Sequence, residues 1–180
     1  MSEVLYQGEF LSLVREGHWE YVDRVTATGA AIIAAVTRAN KVLLVEQYRV
    51  PLHCRTIEMP AGIMGDDPGN GRESHEEAAR RELLEETGYR AGRMTAVARG
   101  PSSGGLTSEV VTLFIASDLE RAQRGGGVGQ EDITVHEVPL ASVDAWLEQK
   151  ASAGLLVDPK IFAGLYLLKR SGDGAAASVR

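Results

Sequence analysis

The sequence predicts an α+β domain, a mixed sheet with flanking helices. Three observations predict it: strand-like runs outnumber helical ones, one well-marked helix stands mid-chain, and no regular alternation of strand and helix runs through the chain. With 180 residues, 44% of them hydrophobic, a single domain can bury a sizeable core.

From Val4 to Thr26, "FLSLV" and "HWEYVDRVT" alternate loosely on either side of "REG", the pattern of an antiparallel β hairpin turning near Gly17. "GAAIIAAVT" and "NKVLLVEQYRV" read as two adjacent strands, the second ended by Pro51. Pro60, Gly62, Gly65, Pro68, Gly69 and Gly71 crowd one stretch and predict a loop. Beyond the mid-chain helix, "RMTAVARG" and "VVTLFIAS" read as strands joined by "PSSGGLTSE", and the loop "RGGGVGQ" leads into a short strand, "DITVHEV". Residues 142–149 and 158–169 look helical, with Asp158 as N-cap and Pro159 in the first turn. Ile161, Leu165 and Leu168 form a core-facing stripe, and "SGDGAAASVR" reads as a frayed tail. The expected organisation is an N-terminal hairpin region over 1–27, a main domain over 28–171 and a flexible tail over 172–180.

Charge and composition exclude several classes. A formal net charge of −6 argues against general electrostatic binding to nucleic acid or to an anionic membrane. No apolar run approaches the roughly 20 residues that span a bilayer, and "MSEVLYQGEF" lacks the basic start and apolar run of a secretion signal. The single cysteine, Cys54, has no internal disulfide partner and reads as a small buried hydrophobe. A soluble cytoplasmic protein is expected.

The helix carries the chemistry. Ser74 followed three residues later by Glu77 is a capping box, and Gly88 supplies the left-handed stop, so the helix spans 74–87. Ala78, Leu83 and Leu84 can pack on the sheet, while Glu82, Glu85 and Glu86 share one face at i, i+3 and i+4. At roughly 5 Å and an effective dielectric near 20, each pair of carboxylates repels by about 3 kcal/mol in a cleft. A divalent cation removes that repulsion, and magnesium suits carboxylate and phosphate oxygens together. Arg81, four residues from both Glu77 and Glu85, can hold a glutamate in a fixed rotamer.

Glu73, seven intervening residues and then "RELLEETGY" resemble the Nudix box, the signature of hydrolases acting on nucleoside diphosphates linked to another group. Glu73, Arg81, Glu82, Leu83, Glu85, Glu86 and Gly88 agree in identity or type. One departure stands upstream: "IMGDDPGNGR" puts ten residues between Gly62 and Glu73, five more than the box has. "VEQYR", "IEMPAG", "GGLTSE" and "EDITVHEVPL" follow the order of motifs in the ADP-ribose and nucleotide-sugar pyrophosphatase branch. The resemblance implies a Nudix α/β/α sandwich with a mixed sheet, preceded by the hairpin, and a homodimer whose N-terminal strands reach the partner's site.

It also implies roles. Glu82 and Glu86 are expected metal ligands, with the backbone carbonyl of Ala61 as a third; Glu85 is a further ligand or the group that orients water. The ion is Mg2+, with Mn2+ as a substitute. Glu131, after the glycine-rich loop, is the expected general base, and Glu109 competes for that role. Arg49 matches a phosphate-contacting position, while Trp19, Glu20 and Arg24 match a segment that holds the nucleobase across the dimer, Trp19 by stacking. Glu58 is either a further metal-site carboxylate or an anchor for the loop. His18, His53, His75 and His136 show no zinc-ligand spacing.

The implied substrate is a nucleoside diphosphate linked to a small molecule. Hydrolysis of ADP-ribose to AMP and ribose 5-phosphate leads, GDP-mannose or another nucleotide sugar is the alternative, and a catalytically silent nucleotide sensor is the reading from a different class.

Overall fold

"GAAIIAA" is apolar without alternation because both faces of its strand are covered. The computed structural model, which describes residues 1–65, 73–129 and 131–172, places this run at the centre of the molecule. Ala31, Ile33 and Ala35 face one core cluster, and Ile32 and Ala34 face another.

In chain order the elements are β1 (Glu3–Gln7), β2 (Leu11–Glu16), β3 (Trp19–Arg24), β4 (Gly29–Ala35), β5 (Lys41–Arg49), β6 (Cys54–Glu58), β7 (Ala61–Met64), α1 (His75–Thr87), β8 (Tyr89–Pro101), β9 (Val110–Arg121), β10 (Thr134–Pro139), α2 (Val143–Ser152), β11 (Leu156–Val157) and α3 (Lys160–Gly172). They form a three-stranded N-terminal sheet, β1-β2-β3, and two four-stranded sheets, β7-β4-β9-β8 and β10-β5-β6-β11. Both larger sheets are mixed, since β4 runs parallel to β9 and β6 parallel to β11.

The first cluster lies under α1, where Ala78, Ala79 and Leu83 meet Tyr89, Met94, Phe114 and Leu119. The second fills the space between the two larger sheets and under α2 and α3, with Val42, Leu44, Ile57, Met59, Leu113, Val143, Leu147 and Ile161. Leu165 and Leu168 pack against this second cluster, as the stripe on α3 predicts.

Several elements differ from the sequence reading. The expected hairpin is β2–β3, turning at Gly17 (φ +60°), and β1 adds a third antiparallel strand. That strand carries no apolar alternation, because four of its five residues are exposed. The loop expected from Pro60 onward begins with a strand, β7, paired with β4 from Ala61↔Ile32 to Gly29↔Met64. Gly62 is tolerated there because β7 is an edge strand. Cys54 is half-buried on β6. The longer part of the insertion before Glu73, and residues 173–180 of the expected tail, lie outside the described residues.

Two local signals place α1. The Ser74 amide donates to Glu77 Oε2 at 2.8 Å and the Glu77 amide to Ser74 Oγ at 3.2 Å, closing the capping box. Gly88, at φ +79°, takes the left-handed stop and donates its N–H to the Leu84 carbonyl at 2.8 Å. Ala79 is fully buried and Leu84 only partly, so Ala78, Ala79 and Leu83 make the packed face. Among the described residues, no helix is long and apolar enough to cross a membrane.

Candidate active site

The carboxylates of α1 are sorted by what meets them. Arg81 donates from Nη1 to Glu82 Oε1 at 2.9 Å and to Glu85 Oε2 at 3.2 Å, and from Nε to Glu73 Oε1 at 3.4 Å. One guanidinium therefore spans three box glutamates. Burial opposes its charge, but Glu82 and Glu73 hold the Arg81 pKa above its ordinary value. The second oxygen of Glu73, Oε2, is buried without a hydrogen-bond partner among the described residues. Glu82 lies against the backbone of β7, where a Cβ on Gly62 would fall inside its side chain. The glycine is there for the glutamate.

Glu86 stands apart from that network. It is buried and accepts the Ala61 amide N–H at 3.0 Å. Burial first, and then the negative charges of Glu82 and Glu131, push its carboxyl up to about 8, against the Ala61 N–H and the charge of Arg49. Ala61 thus meets Glu86 through its amide, whereas the sequence reading assigns it a carbonyl role.

The other wall is β5 and β6. Arg49 donates to Glu58 from Nε at 2.7 Å and from Nη2 at 2.6 Å, a two-point ion pair, and Thr56 Oγ1 donates to the same carboxylate at 2.5 Å. Burial would raise the Glu58 pKa, but Arg49 and Thr56 bring it below its usual value. Glu58 is thus paired with Arg49, a contact that neither of its two expected roles names.

The glycine-rich loop completes the site by finishing the helix. The last carbonyls of an α-helix have no partner within it. Here Gly126 N–H donates to the Glu86 carbonyl at 2.8 Å, Gly127 N–H to that of Glu85 at 3.0 Å, and the Gln123 side-chain amide to that of Leu84 at 3.1 Å. Gly125, at φ +74°, packs so closely that a Cβ would sit 2.7 Å from the Gly88 nitrogen. The loop is bolted to the turn that carries Glu85 and Glu86. Glu131, at its far end, accepts the Val128 N–H at 2.8 Å, and its charge is felt at Glu86.

The structure therefore groups Arg49, Ala61, Glu82, Glu85, Glu86 and Glu131. It places the remaining expected residues elsewhere. Trp19 is 54% exposed on β3, Glu20 is paired with Arg15 at 2.8 Å, and Arg24 donates from Nε to Glu109 at 2.5 Å. That pair lines a small pocket with Asp23, Thr28, Arg99 and Ser108. Glu109 is thereby engaged by a cation, while Glu131 shares the field of Glu86. Two features of the site are absent from the sequence reading: the side-on pairing of Arg49 with Glu58 and the capping of α1 by the loop. The first has a faint signal, since Thr56 and Glu58 alternate on one face of β6.

Among the described residues, no three His, Cys, Asp or Glu side chains converge as a ready-made metal cage. The donor set nonetheless suits a hard divalent cation: carboxylate oxygens, and a buried Glu86 destabilised by its acidic neighbours.

The site is thus an acidic helix face held by Arg81, beside Arg49 on a mixed sheet. The NUDIX domain model matches residues 27–156, and the chain belongs to that family. Among curated proteins it is similar to the ADP-ribose pyrophosphatase of Bacillus subtilis, 35% identical over 148 residues that cover 77% of this chain and 76% of that one. It is 33% identical to the GDP-mannose pyrophosphatase of Cronobacter sakazakii over 161 residues, 85% of this chain and 78% of that protein. It is 32% identical to the methanol dehydrogenase activator of Bacillus methanolicus over 125 residues, 68% of this chain but only 64% of that protein. The crystal structure of an ADP compounds hydrolase superposes with a TM-score of 0.71 over 97% of this chain and 94% of that one; at 22% identity it establishes the shared fold. Nudix pyrophosphatases generally use divalent cations.

Proposed function

We propose that this chain hydrolyses the pyrophosphate bond of a nucleoside diphosphate linked to a sugar, with ADP-ribose as leading substrate and AMP and ribose 5-phosphate as products. The observation that carries this reading is a buried Glu86, bonded by the Ala61 amide and lying in the field of Glu82, Glu131 and Arg49. Acidic residues alone would repel a pyrophosphate, so the site needs the cation that its carboxylates suit. Glu82, Glu86 and the Ala61 carbonyl would hold Mg2+, or Mn2+ in its place, with Glu85 as a further ligand or water-orienting group. When bound, the ion neutralises phosphate charge and lowers the pKa of the attacking water.

The chain's own residues do the rest. Arg49 binds the phosphates with a guanidinium already oriented by Glu58. Glu131 takes the proton of the attacking water, a role supported by its seat on a glycine-rich loop that is bonded to the end of α1. Arg81 keeps Glu82 and Glu85 in place. The N-terminal sheet serves as the dimer and base-binding element: Trp19, Glu20 and Arg24 act on the nucleotide bound by the partner of a homodimer. The exposed Val4, Tyr6, Phe10 and Trp19 of that region favour this role, because a monomer would leave them in water. The protein is expected to work in the cytoplasm.

GDP-mannose is the second reading, favoured by the 85% coverage of this chain in the match to a GDP-mannose pyrophosphatase. A panel of ADP-ribose, GDP-mannose, NADH and diadenosine polyphosphates, each with magnesium, separates the readings by kcat/KM. Glu82→Gln then tests the site: turnover falls by about 10³-fold or more if the box holds the metal. Inactivity across the whole panel would support a nucleotide sensor instead.

A further inference from the structure

Arg49 has two attractions to choose between. On one side lie the carboxylates of α1, and the charges of Arg49 and Glu86 are each felt at the other. On the other side lies Glu58. A long, half-exposed guanidinium beside an acidic box would fold onto that box unless something else held it.

The register of β5 and β6 shows what holds it. Val45 opposes Glu58, Gln47 opposes Thr56 and Arg49 opposes Cys54. Opposed residues and their i+2 neighbours share a face, so Arg49, Thr56 and Glu58 lie together on one side of the sheet. Arg49 reaches back along the strand, over the Gln47–Thr56 pair, and presents Nε and Nη2 to the two Glu58 oxygens at 2.7 and 2.6 Å. Two parallel bonds fix the plane of a guanidinium as well as its position. Glu58 is itself seated: it is 8% exposed and takes the hydroxyl of Thr56, which is 4% exposed. The pairing occupies one edge of the guanidinium fork and leaves its other N–H donors for a phosphate.

We propose that Glu58, seated by Thr56, is the positioning residue of the site: it fixes the plane of Arg49 and holds the guanidinium against β6. Glu58 acts through Arg49 and need not touch substrate. This rests on the reading of Arg49 as a phosphate-binding residue. A tie that merely joined β5 to β6 would affect stability alone; a positioning residue shifts substrate affinity.

The test uses the full-length enzyme with magnesium, measuring KM and kcat for ADP-ribose and the affinity of its non-hydrolysable α,β-methylene analogue. Glu58→Gln keeps the shape and an acceptor for Thr56 but loses the charge. It raises KM about tenfold and weakens the analogue in parallel, with kcat within about twofold, as loss of a charge-assisted bond predicts. Arg49→Lys, which removes the fork, raises KM further, and the double variant is no worse than Arg49→Lys alone. Thr56→Val moves KM the same way by a smaller factor and stands in if Glu58→Gln does not fold.

An unchanged KM and analogue affinity in Glu58→Gln, beside a raised KM in Arg49→Lys, would overturn the positioning role while leaving the enzyme assignment intact. Multiplying effects in the double variant would overturn it too. If Arg49→Lys has normal KM, the phosphate role of Arg49 falls and the inference with it. A wild-type protein that neither hydrolyses ADP-ribose nor binds the analogue defeats the ADP-ribose reading itself.

Discussion

The amide N–H of Ala61, on the edge strand β7, donates to the Glu86 carboxylate on α1 at 3.0 Å. This bond ties the helix face to the sheet edge, and it is too little to offset the burial of Glu86 and the charges of Glu82 and Glu131, so the Glu86 carboxyl rises to about 8. Between an unfolded value near 4.5 and about 8, the folded state holds a proton that the unfolded state has released. Metal-free protein therefore keeps the full contribution below pH 4.5 and loses it as pH rises through about 8. Glu86→Gln keeps the acceptor and removes the titration. In chelator, its thermal midpoint relative to wild type should rise between pH 5 and pH 8, by an amount on the order of a few kcal/mol in stability. Turnover with magnesium should fall about 10³-fold or more. Parallel pH profiles for the two proteins would sink the burial argument.

Gly62 gives a sharper separation of fold from chemistry. A Cβ there would overlap the Glu82 side chain, yet the glycine has ordinary backbone angles and sits on an edge strand. Gly62→Ala should fold with a Tm within a few degrees of wild type while Glu82 is forced out of place. Activity should drop by about 10²-fold, because displacement of about 1 Å at a catalytic group has that effect. Wild-type kcat/KM in a well-folded Gly62→Ala would show that the position of Glu82 does not matter.

Where the sequence was readable, the determinants were local. Ser74, Glu77 and Gly88 define α1 within fifteen residues, and the stripe on α3 is similarly self-contained. Glu131 could be linked to the box only through resemblance, because its approach depends on Gly126 and Gly127 donating to carbonyls some forty residues earlier. A glycine-rich run reads as a mobile loop when the carbonyls that bind it are unknown. Arg49 and Glu58 illustrate the same limit: each stands out in the sequence, but their pairing follows from a strand register that neither strand specifies alone. β7 was hidden because Pro60, Gly62 and Gly65 look like loop composition, and only an edge position makes a strand of them.

The seam between the loop and α1 predicts a contrast among glycines. Gly125 and Gly129 both have positive φ, +74° and +64°, so alanine at either carries the left-handed cost of about 1–2 kcal/mol. At Gly125 the added Cβ also meets backbone of Thr87 and Gly88, whereas at Gly129 it meets open space. Gly125→Ala should therefore lower Tm by clearly more than Gly129→Ala, and should also lower kcat by moving the segment that leads to Glu131. Equal losses in the two variants would mean that the loop does not press on the helix end.

On the face of β5 opposite Arg49, Glu46 gathers Arg55 at 2.9 Å, His136 at 3.0 Å and Lys150 at 3.0 Å. Burial alone would raise its pKa, but donors from Lys150, His136 and Arg55 together bring it down to about 2. With a folded value below the unfolded 4.5, its contribution is present above pH 4.5 and is lost as pH falls toward about 2. Glu46→Gln should lose on the order of 2 kcal/mol at pH 7 and show a shallower decline on acidification, read by urea unfolding at several pH values. The same slope in both proteins would place the acid sensitivity elsewhere.

The dimer reading makes a prediction that needs no structure of the dimer. If Trp19 acts on the nucleotide bound by the partner while Glu82 acts within its own chain, the two residues of one site come from different chains. Trp19→Ala and Glu82→Gln each cripple both sites of their own homodimer. A hybrid of the two has one site that combines the intact Glu82 of the first chain with the intact Trp19 of the second. Mixing the purified variants under conditions that allow subunit exchange should restore up to about a quarter of wild-type activity, since half of the dimers are hybrid and each has one good site. Absence of recovery, with exchange verified by differently tagged chains, would place Trp19 and Glu82 in the same chain's site, whereas an active Trp19→Ala homodimer would remove Trp19 from the site altogether.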